Sequence, residues 1–336
     1  MKQDKILLAH GGGGRLSYEL IKETILSAFG NPILNNLDDS ASLPSECHRL
    51  ALSTDSHVVK PLFFHGGDIG KLAIFGTVND LAMVGAGPYY ISVALMIEEG
   101  LTMATFRRVI ESMKEASKEV DVKIITGDTK VVERGGLDKL FINTTGIGYI
   151  PDGINISGRN ARVGDLILLS GTVGDHGIAI LTEREGFQFQ AEIKSDCAPL
   201  NGLVTDMLDV SKNIHVLRDP TRGGIATTLN EIALQSGVEM MIDEAKIPIR
   251  EEVKGACEML GLDVFSVANE GKLVALVPEE DGEKVLEAMK DNPLGREVAI
   301  IGRVKGDSKS RVILKTLIGG KRILDMPSGE LLPRIC

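Results

Sequence analysis

Leu72 to Ile97, LAIFGTVNDLAMVGAGPYYISVALMI, is apolar or small almost throughout and carries one charge, Asp80, beside Asn79. Its first part reads as the body of a helix over Asp68 to Ala86, its last part, Tyr89 to Ile97, as a strand. Helix followed directly by apolar strand belongs to a layered α/β chain. A helix apolar on every face is a buried one. A lone carboxylate buried with it is unfavourable by on the order of several kcal/mol, or takes up a proton, unless something compensates it. Asp80 therefore needs a partner, either a distant Lys or Arg or a bound cation.

The alternation continues on both sides. Helices are expected at Arg15 to Phe29 and Thr105 to Val120, with strands at Arg49 to Ser53, Val122 to Thr126 and Phe141 to Ile150. The run PDGINISGRNARVGD from Pro151, rich in Gly and Asn, then separates a second α/β block. That block opens with a strand at Leu166 to Ser170. Helices follow near Asn201 to Val210, Gly224 to Ser236, Glu251 to Leu260 and Gly282 to Lys290, interleaved with strands around Val238 to Ile242, Lys272 to Val277, Val298 to Val304 and Arg311 to Leu314. The expected division is residues 1–152, residues 153–325 and a mobile tail, residues 326–336. A faint echo, VNDLAMVGA at Val78 and LNEIALQSG at Leu229, hints at duplicated helices.

A length of 336 residues suits two domains, and 43% apolar with 25% charged residues describes an ordinary folded chain. Aromatics are only 4%, Trp is absent and the net charge is -10, which argues against nucleic acid as a partner. The longest apolar run, Tyr89 to Ile97, is too short to span a membrane, and Ile6 to Ala9 is too short for a signal-peptide core. Cys47, Cys197, Cys257 and Cys336 lack the spacing of a zinc site or a disulfide framework. A reducing, cytoplasmic setting is expected.

Asp80 has acidic company in small, polar surroundings: Asp38 and Asp39 in LDDSA, Asp55 in STDSH and Asp128 in ITGDTK. Singly, each could be a turn residue or a helix cap. Together they form the kind of hard-oxygen set that magnesium shares with nucleotide phosphates. HGGGG, His10 to Gly14, could cradle an anion on the N–H groups of Gly11, Gly12 and Gly13, or be a flexible loop. GGDIGKL at Gly66 has the wrong spacing for a P-loop. RDPTRGG, from Arg218, sets Arg218 and Arg222 before a helix start, an arrangement suited to phosphate or to a structural turn in which Asp219 pairs with one Arg. Glu270 stands at a turn in VANEGKLVAL. The chain ends LLPRIC, so the thiol of Cys336 could travel into a pocket on a swinging arm, or be an accident of the terminus.

HGGGG, LDDSA, STDSHVVKP, GTVNDLAM, ITGDTKVV, RDPTRGG, ANEGK and the terminal Pro-Arg-Ile-Cys stand in an order that resembles the HypE family of hydrogenase maturation factors. These belong to the superfamily of aminoimidazole ribonucleotide synthetase, selenophosphate synthetase and thiamine-monophosphate kinase. The resemblance runs end to end. It implies a PurM-like two-domain α/β (α+β) fold, an N-terminal domain whose sheet pairs with its twin in a homodimer, a C-terminal α/β domain, and ATP in the cleft. It also implies that HypF carbamoylates Cys336, that ATP drives dehydration of the thiocarboxamide to a thiocyanate, and that the HypC–HypD complex accepts the cyano group for the iron of a nickel–iron hydrogenase. By resemblance, Asp39, Asp55, Asp80 and Asp128 serve magnesium and phosphate, with Lys60, Asn79 and Thr129 nearby. Lys130 and Glu270 match residues that manage deprotonation of the nitrogen. Two other activities stay open, a small-molecule phosphotransferase of the same superfamily and a non-catalytic carrier of a modified cysteine. The position of the thiol weighs against the first and the buried aspartates against the second.

Overall fold

The computed structural model describes residues 14–26, 32, 34–43, 49–187, 192–306, 309–329, 332 and 334–336. Gly11, Gly12, Gly13 and Cys47 lie outside them. The first half contains α1 (Arg15–Leu20), β1 (Ala41–Leu43), β2 (Arg49–His57), β3 (Phe63–Phe64), β4 (Gly67–Asp68), α2 (Ile69–Met83), β5 (Gly87–Glu98), α3 (Met103–Glu119), β6 (Lys123–Val132) and β7 (Leu140–Ile150). The second contains β8 (Leu166–Leu169), α4 (Asp175–Glu185), α5 (Asn201–Val210), β9 (Val216–Arg218), α6 (Gly224–Ser236), β10 (Glu239–Asp243), α7 (Glu251–Leu260), β11 (Val274–Val277), α8 (Glu279–Asp291), β12 (Ala299–Gly306), β13 (Arg311–Lys315) and β14 (Lys321–Leu324).

Five strands form one sheet in the order β1-β2-β7-β5-β6, and seven form another in the order β14-β13-β10-β12-β8-β11-β9. In the first, only β5 and β6 run parallel, because α3 carries the chain back between them. Helix α2 starts where the side chain of Asp68 accepts from the N–H groups of Gly70 and Lys71, at 2.8 and 3.1 Å, and Ser112 Oγ on α3 donates to the same carboxylate. It is buried on all faces, as its composition requires. One side packs with the first sheet and α3, and its end, through Leu81, Ala82 and Met83, joins Leu168, Leu203 and Leu217 in a core shared by both halves.

Several elements run further than their sequence suggests. β2 continues through Asp55 to His57, and β6 continues through Asp128 to Val132. β-Branched Ile124, Ile125, Thr126, Thr129, Val131 and Val132 sustain β6 past its glycine. β6 is also an edge strand, exposed from Lys123 to Val131. Helix α1 stops at Leu20 and passes into a π-turn, Ile21–Ile25. Helix α4 is masked in the sequence by glycines at both caps, Gly174 and Gly186, which take left-handed φ values of 87° and 69°. The last residues, expected as a mobile arm, are docked. Val58 N–H donates to the Cys336 carbonyl at 2.9 Å and Lys60 N–H to that of Arg334 at 3.1 Å, which extends the line of β2.

Candidate active site

Asp39 lies in the turn before β1, Asp80 in the last turn of α2 and Asp219 just after β9, yet one oxygen of each lies within 4.8 Å of the other two. Their convergence follows from two periodicities. Residues four apart on a helix share a face, so Gly76 and Asp80 look at the same strand, while Ser53, Asp55 and His57 alternate onto the facing side of β2. The approach is close enough to require glycine, since a Cβ on Gly76 would sit 2.9 Å from His57 Cε1 and 3.3 Å from Asp55 Oδ2. Ser53 Oγ donates to Asp80 Oδ2 at 2.5 Å and Ser40 Oγ to the Asp80 carbonyl at 2.8 Å.

So many carboxylates in one place disfavour their own ionisation. Burial above all, then Asp219, Asp55 and Asp39, push Asp80 well above the ordinary carboxylate range. Burial does the same to Asp39, opposed by Arg218, and raises Asp219 to about 6. Asp55 moves the other way: burial is the largest influence and would raise it, but His57, Arg222 and the Ser56 N–H together outweigh it. Asp39 Oδ2, 3.0 Å from Arg218 Nε, has an ion pair without the alignment of a hydrogen bond. A compact set of acidic oxygens with unspent acceptor capacity suits a hard cation such as Mg2+.

The thiol arrives beside this cluster. Cys336 is pushed up to about 12 by burial first, with Arg222 opposing and Glu270, Asp55 and Asp219 adding. Arg222 is held charged by Cys336 most strongly, against burial, and then by Asp55, Glu270 and Asp80. Among the described residues its guanidinium makes no ion pair or hydrogen bond. Glu270 is 5% exposed, and among the described residues its Oε1 has no hydrogen-bond partner. Burial raises it well above 4.5, reinforced by Asp55, Asp219 and Asp196 and opposed by Arg222. Its main chain is fixed from both sides: its N–H donates to Asp196 Oδ1 at 2.9 Å, and its carbonyl accepts from Asn79 Nδ2 at 3.4 Å. At Gly271 a Cβ would lie 1.8 Å from the Asp196 carbonyl, so this turn tolerates no side chain after Glu270.

A half-buried acidic cluster, the Arg222 guanidinium, the Glu270 carboxyl and a docked thiol thus come together. Two family models match the chain, the N-terminal domain of AIR synthase related proteins over residues 37–150 and their C-terminal domain over residues 162–315. Carbamoyl dehydratase HypE of Cupriavidus necator is 52% identical over 338 aligned residues, covering 100% of this chain and 96% of that protein. The chain belongs to the HypE family. A solved HypE in complex with ATP shares 50% identity and superposes with a TM-score of 0.84, covering 99% of this chain and 100% of that one. A HypE from a HypE–HypF complex shares 48% identity with a TM-score of 0.88, covering 92% of this chain and 99% of that one. The fold is accordingly PurM-like.

Within this HypE-family chain the structure gathers some of the expected site residues and separates others. Asp39, Asp55, Asp80, Arg222, Glu270 and Cys336 meet. Asp128, Thr129 and Lys130 do not: the residue row through Asp55 passes Thr144 and Val93 before reaching Gly127, three strands away. At ordinary strand spacing that is roughly 14 Å. Arg218 is committed to protein, donating to the Leu37 carbonyl at 2.8 Å and to Glu231 Oε2 at 2.6 Å besides its pairing with Asp39. It is a tether for the LDDSA turn rather than an open phosphate ligand. Asn79 is committed too, accepting from Leu200 N–H at 2.7 Å and donating to Ala198 and Glu270 carbonyls, so it aligns the Glu270 turn with α2. Lys60 pairs with Asp138 at 3.1 Å, beside the tail. Asp219 completes the acidic trio without having been singled out as a ligand. It stands directly after β9, between Arg218 and Pro220.

Proposed function

We propose that the chain dehydrates a carbamoyl group carried on Cys336 to a thiocyanate at the expense of ATP, supplying the cyano ligand for the iron of a nickel–iron hydrogenase. The observation that carries this is the docked Cys336, whose thiol stands among Arg222, Glu270 and Asp55. The balance is R–S–C(=O)–NH2 plus ATP giving R–S–C≡N, ADP and phosphate. The amide oxygen attacks the γ-phosphorus and ADP leaves. The nitrogen then loses its two protons as the C–O bond breaks and phosphate departs with that oxygen. Arg222, which makes no hydrogen bond or ion pair among the described residues, is placed to meet the phosphoryl group or the carbamoyl oxygen. Glu270, with a free oxygen and a raised affinity for protons, is placed to take a proton from nitrogen.

Asp39, Asp80 and Asp219 would hold Mg2+, with Asp55 beside them. Bound there, the ion would neutralise phosphate charge. The expected domain limits, at residues 152 and 325, put these aspartates on both sides of the cleft. HypF would supply the carbamoyl group and HypC–HypD would accept the cyano group, in the cytoplasm, where the thiol stays reduced. Among the described residues no helix is long and apolar enough to cross a membrane. A small-molecule phosphotransferase would leave the docked thiol without a task.

The edge strand supports a homodimer. Ile125 and Val131 on β6 are 59% and 62% exposed, and an unpaired apolar edge invites a second copy. Asp128, Thr129 and Lys130 would then reach a nucleotide only across that pairing. Ile125→Asp is expected to convert the dimer to monomer in sedimentation velocity, and an unchanged sedimentation coefficient would remove β6 from the interface. The function itself is tested by incubating carbamoylated protein with Mg-ATP and following intact mass. The expected outcome is loss of one water from the C-terminal peptide with one phosphate released, and Cys336→Ala should accept no carbamoyl group. ATP consumption with an unchanged tail overturns the reading.

A further inference from the structure

The tail is held by more than its thiol. All three of its last carbonyls are taken: that of Arg334 by Lys60 N–H and, at 2.7 Å, by Arg184 Nη2; that of Ile335 by His176 Nε2 at 2.7 Å; that of Cys336 by Val58 N–H. His176 is fully buried, and burial lowers its pKa to about 4, so it is neutral. With its proton on Nε2 for the tail, Nδ1 is free to accept from Ser195 Oγ at 2.8 Å. These main-chain bonds would hold any sequence. Arg334 is what makes the tail's docking specific. Its Nε donates to the Val58 carbonyl at 2.9 Å, its guanidinium lies 5.5 Å from the Phe141 ring centre, and its Nη1 donates to Asp138 Oδ2 at 2.7 Å. The residue pays for this in backbone strain, with φ of 53° in the left-handed region that a side chain disfavours.

Asp138 lies in the loop between β6 and β7 and binds two cations at once, Arg334 and, at 3.1 Å, Lys60. Arg334 first and Lys60 second hold its carboxyl below the ordinary range. It touches neither the acidic trio nor the thiol. We propose that Asp138 is a positioning residue, the anchor of a latch that sets how much of the time the Arg334–Cys336 tail occupies the cleft. This rests on the reading of Cys336 as the reacting group, which requires the tail to leave for carbamoyl transfer and cyano delivery and to return for dehydration. Main-chain bonds alone would leave the docked state no handle that a partner could release. A half-exposed carboxylate gripping the one charged side chain of residues 334–336 is such a handle, since any competing acidic group can take Arg334 from it.

The latch is tested on the full-length, unmodified protein by the rate at which iodoacetamide labels Cys336, read by peptide mapping, with buried Cys257 as the internal standard. Docking half-buries the thiol, so Asp138→Asn is expected to speed labelling of Cys336 by up to about tenfold, the worth of one charge-assisted contact, with Cys257 unchanged. Asp138→Glu should return most of the protection. With carbamoylated protein at saturating ATP, single-turnover dehydration by Asp138→Asn should slow by no more than about twofold, because a tail docked most of the time stays largely docked, while calorimetric ATP affinity stays the same. An unchanged Cys336 rate, or Cys336 and Cys257 accelerating together, overturns the proposal. Labelling needs neither ATP nor a carbamoyl group. Protection lost in the variant, alongside a wild-type protein that cannot dehydrate its tail, would therefore sink the function and leave the latch standing.

Discussion

Asp80→Asn is expected to abolish ATP-driven dehydration while making the free protein harder to melt. The two effects share one cause. Asp80 is buried against Asp219, Asp55 and Asp39, and its carboxyl is raised far above 3.8, by burial most and by those neighbours next. A group whose folded pKa exceeds its unfolded one stabilises the fold below the unfolded value, and that contribution is lost as pH rises toward and through the folded value. The wild type without ligands should therefore lose stability between about pH 4 and neutrality relative to the variant, whose amide is neutral throughout. Asparagine still offers an oxygen to Ser53, so the hydrogen bond at that position survives. Thermal melts near neutral pH should show the variant about 2–4 °C higher, the shift expected for a gain of one to two kcal/mol in a chain of this size. Single-turnover dehydration should fall roughly a hundred- to a thousandfold, because one negative group of the cluster that receives the triphosphate's counter-charge is gone. The stabilisation that Mg-ATP confers on the wild type should vanish as well. A variant that melts lower and still turns over ATP at the wild-type rate would take Asp80 out of the site.

What the sequence makes legible here is whatever burial writes into composition. Helix α2 announces itself because it is apolar on every face, and Asp80 stands out as the exception within it. The helices α5, α6 and α7 run over the residues their periodicity marks, because caps and amphipathic spacing are local properties. Asp128 sits in the same kind of small, polar company as Asp55, and nothing local distinguishes them. One is on a strand covered by α2 and the other on an open edge, a difference decided by which strand is the neighbour. RDPTRGG reads the same whether its guanidinium groups meet phosphate or carboxylate, and here Arg218 meets Asp39 and Glu231 while Arg222 stays open. The echo between VNDL and LNEI gains some meaning in this light, since Asp80 and Glu231 face the same Asp39–Arg218 junction from α2 and α6. Asp138 and His176 carry no local mark at all. Their partners in the tail lie 196 and 159 residues away in the chain.

Glu270→Gln is expected to slow dehydration of the carbamoylated tail by about 10²–10⁴-fold, the usual worth of a positioned general base, with little change in ATP affinity. Gln keeps the shape and the main-chain bonds to Asp196 and Asn79, so the turn holds its place. What disappears is the proton acceptor. The pH profile decides whether that acceptor is Glu270. A base works only when deprotonated, so the rate should climb with pH through the pKa of Glu270. Burial first, then Asp55, Asp219 and Asp196, put that value well above 4.5, and the limb should lie correspondingly closer to neutrality. Arg222 is the charge that holds it down, so Arg222→Gln should move the limb to higher pH while Glu270→Gln removes it. A merely structural role would lower the rate evenly at every pH. The competing base, Lys130, stands exposed on β6, three strands from Asp55, and acts in this cleft only if a second copy brings it there. Should Glu270→Gln keep the rising limb and Lys130→Gln lose it, the proton leaves through the partner's edge strand, and the unpaired carboxyl beside Cys336 is only a neighbour.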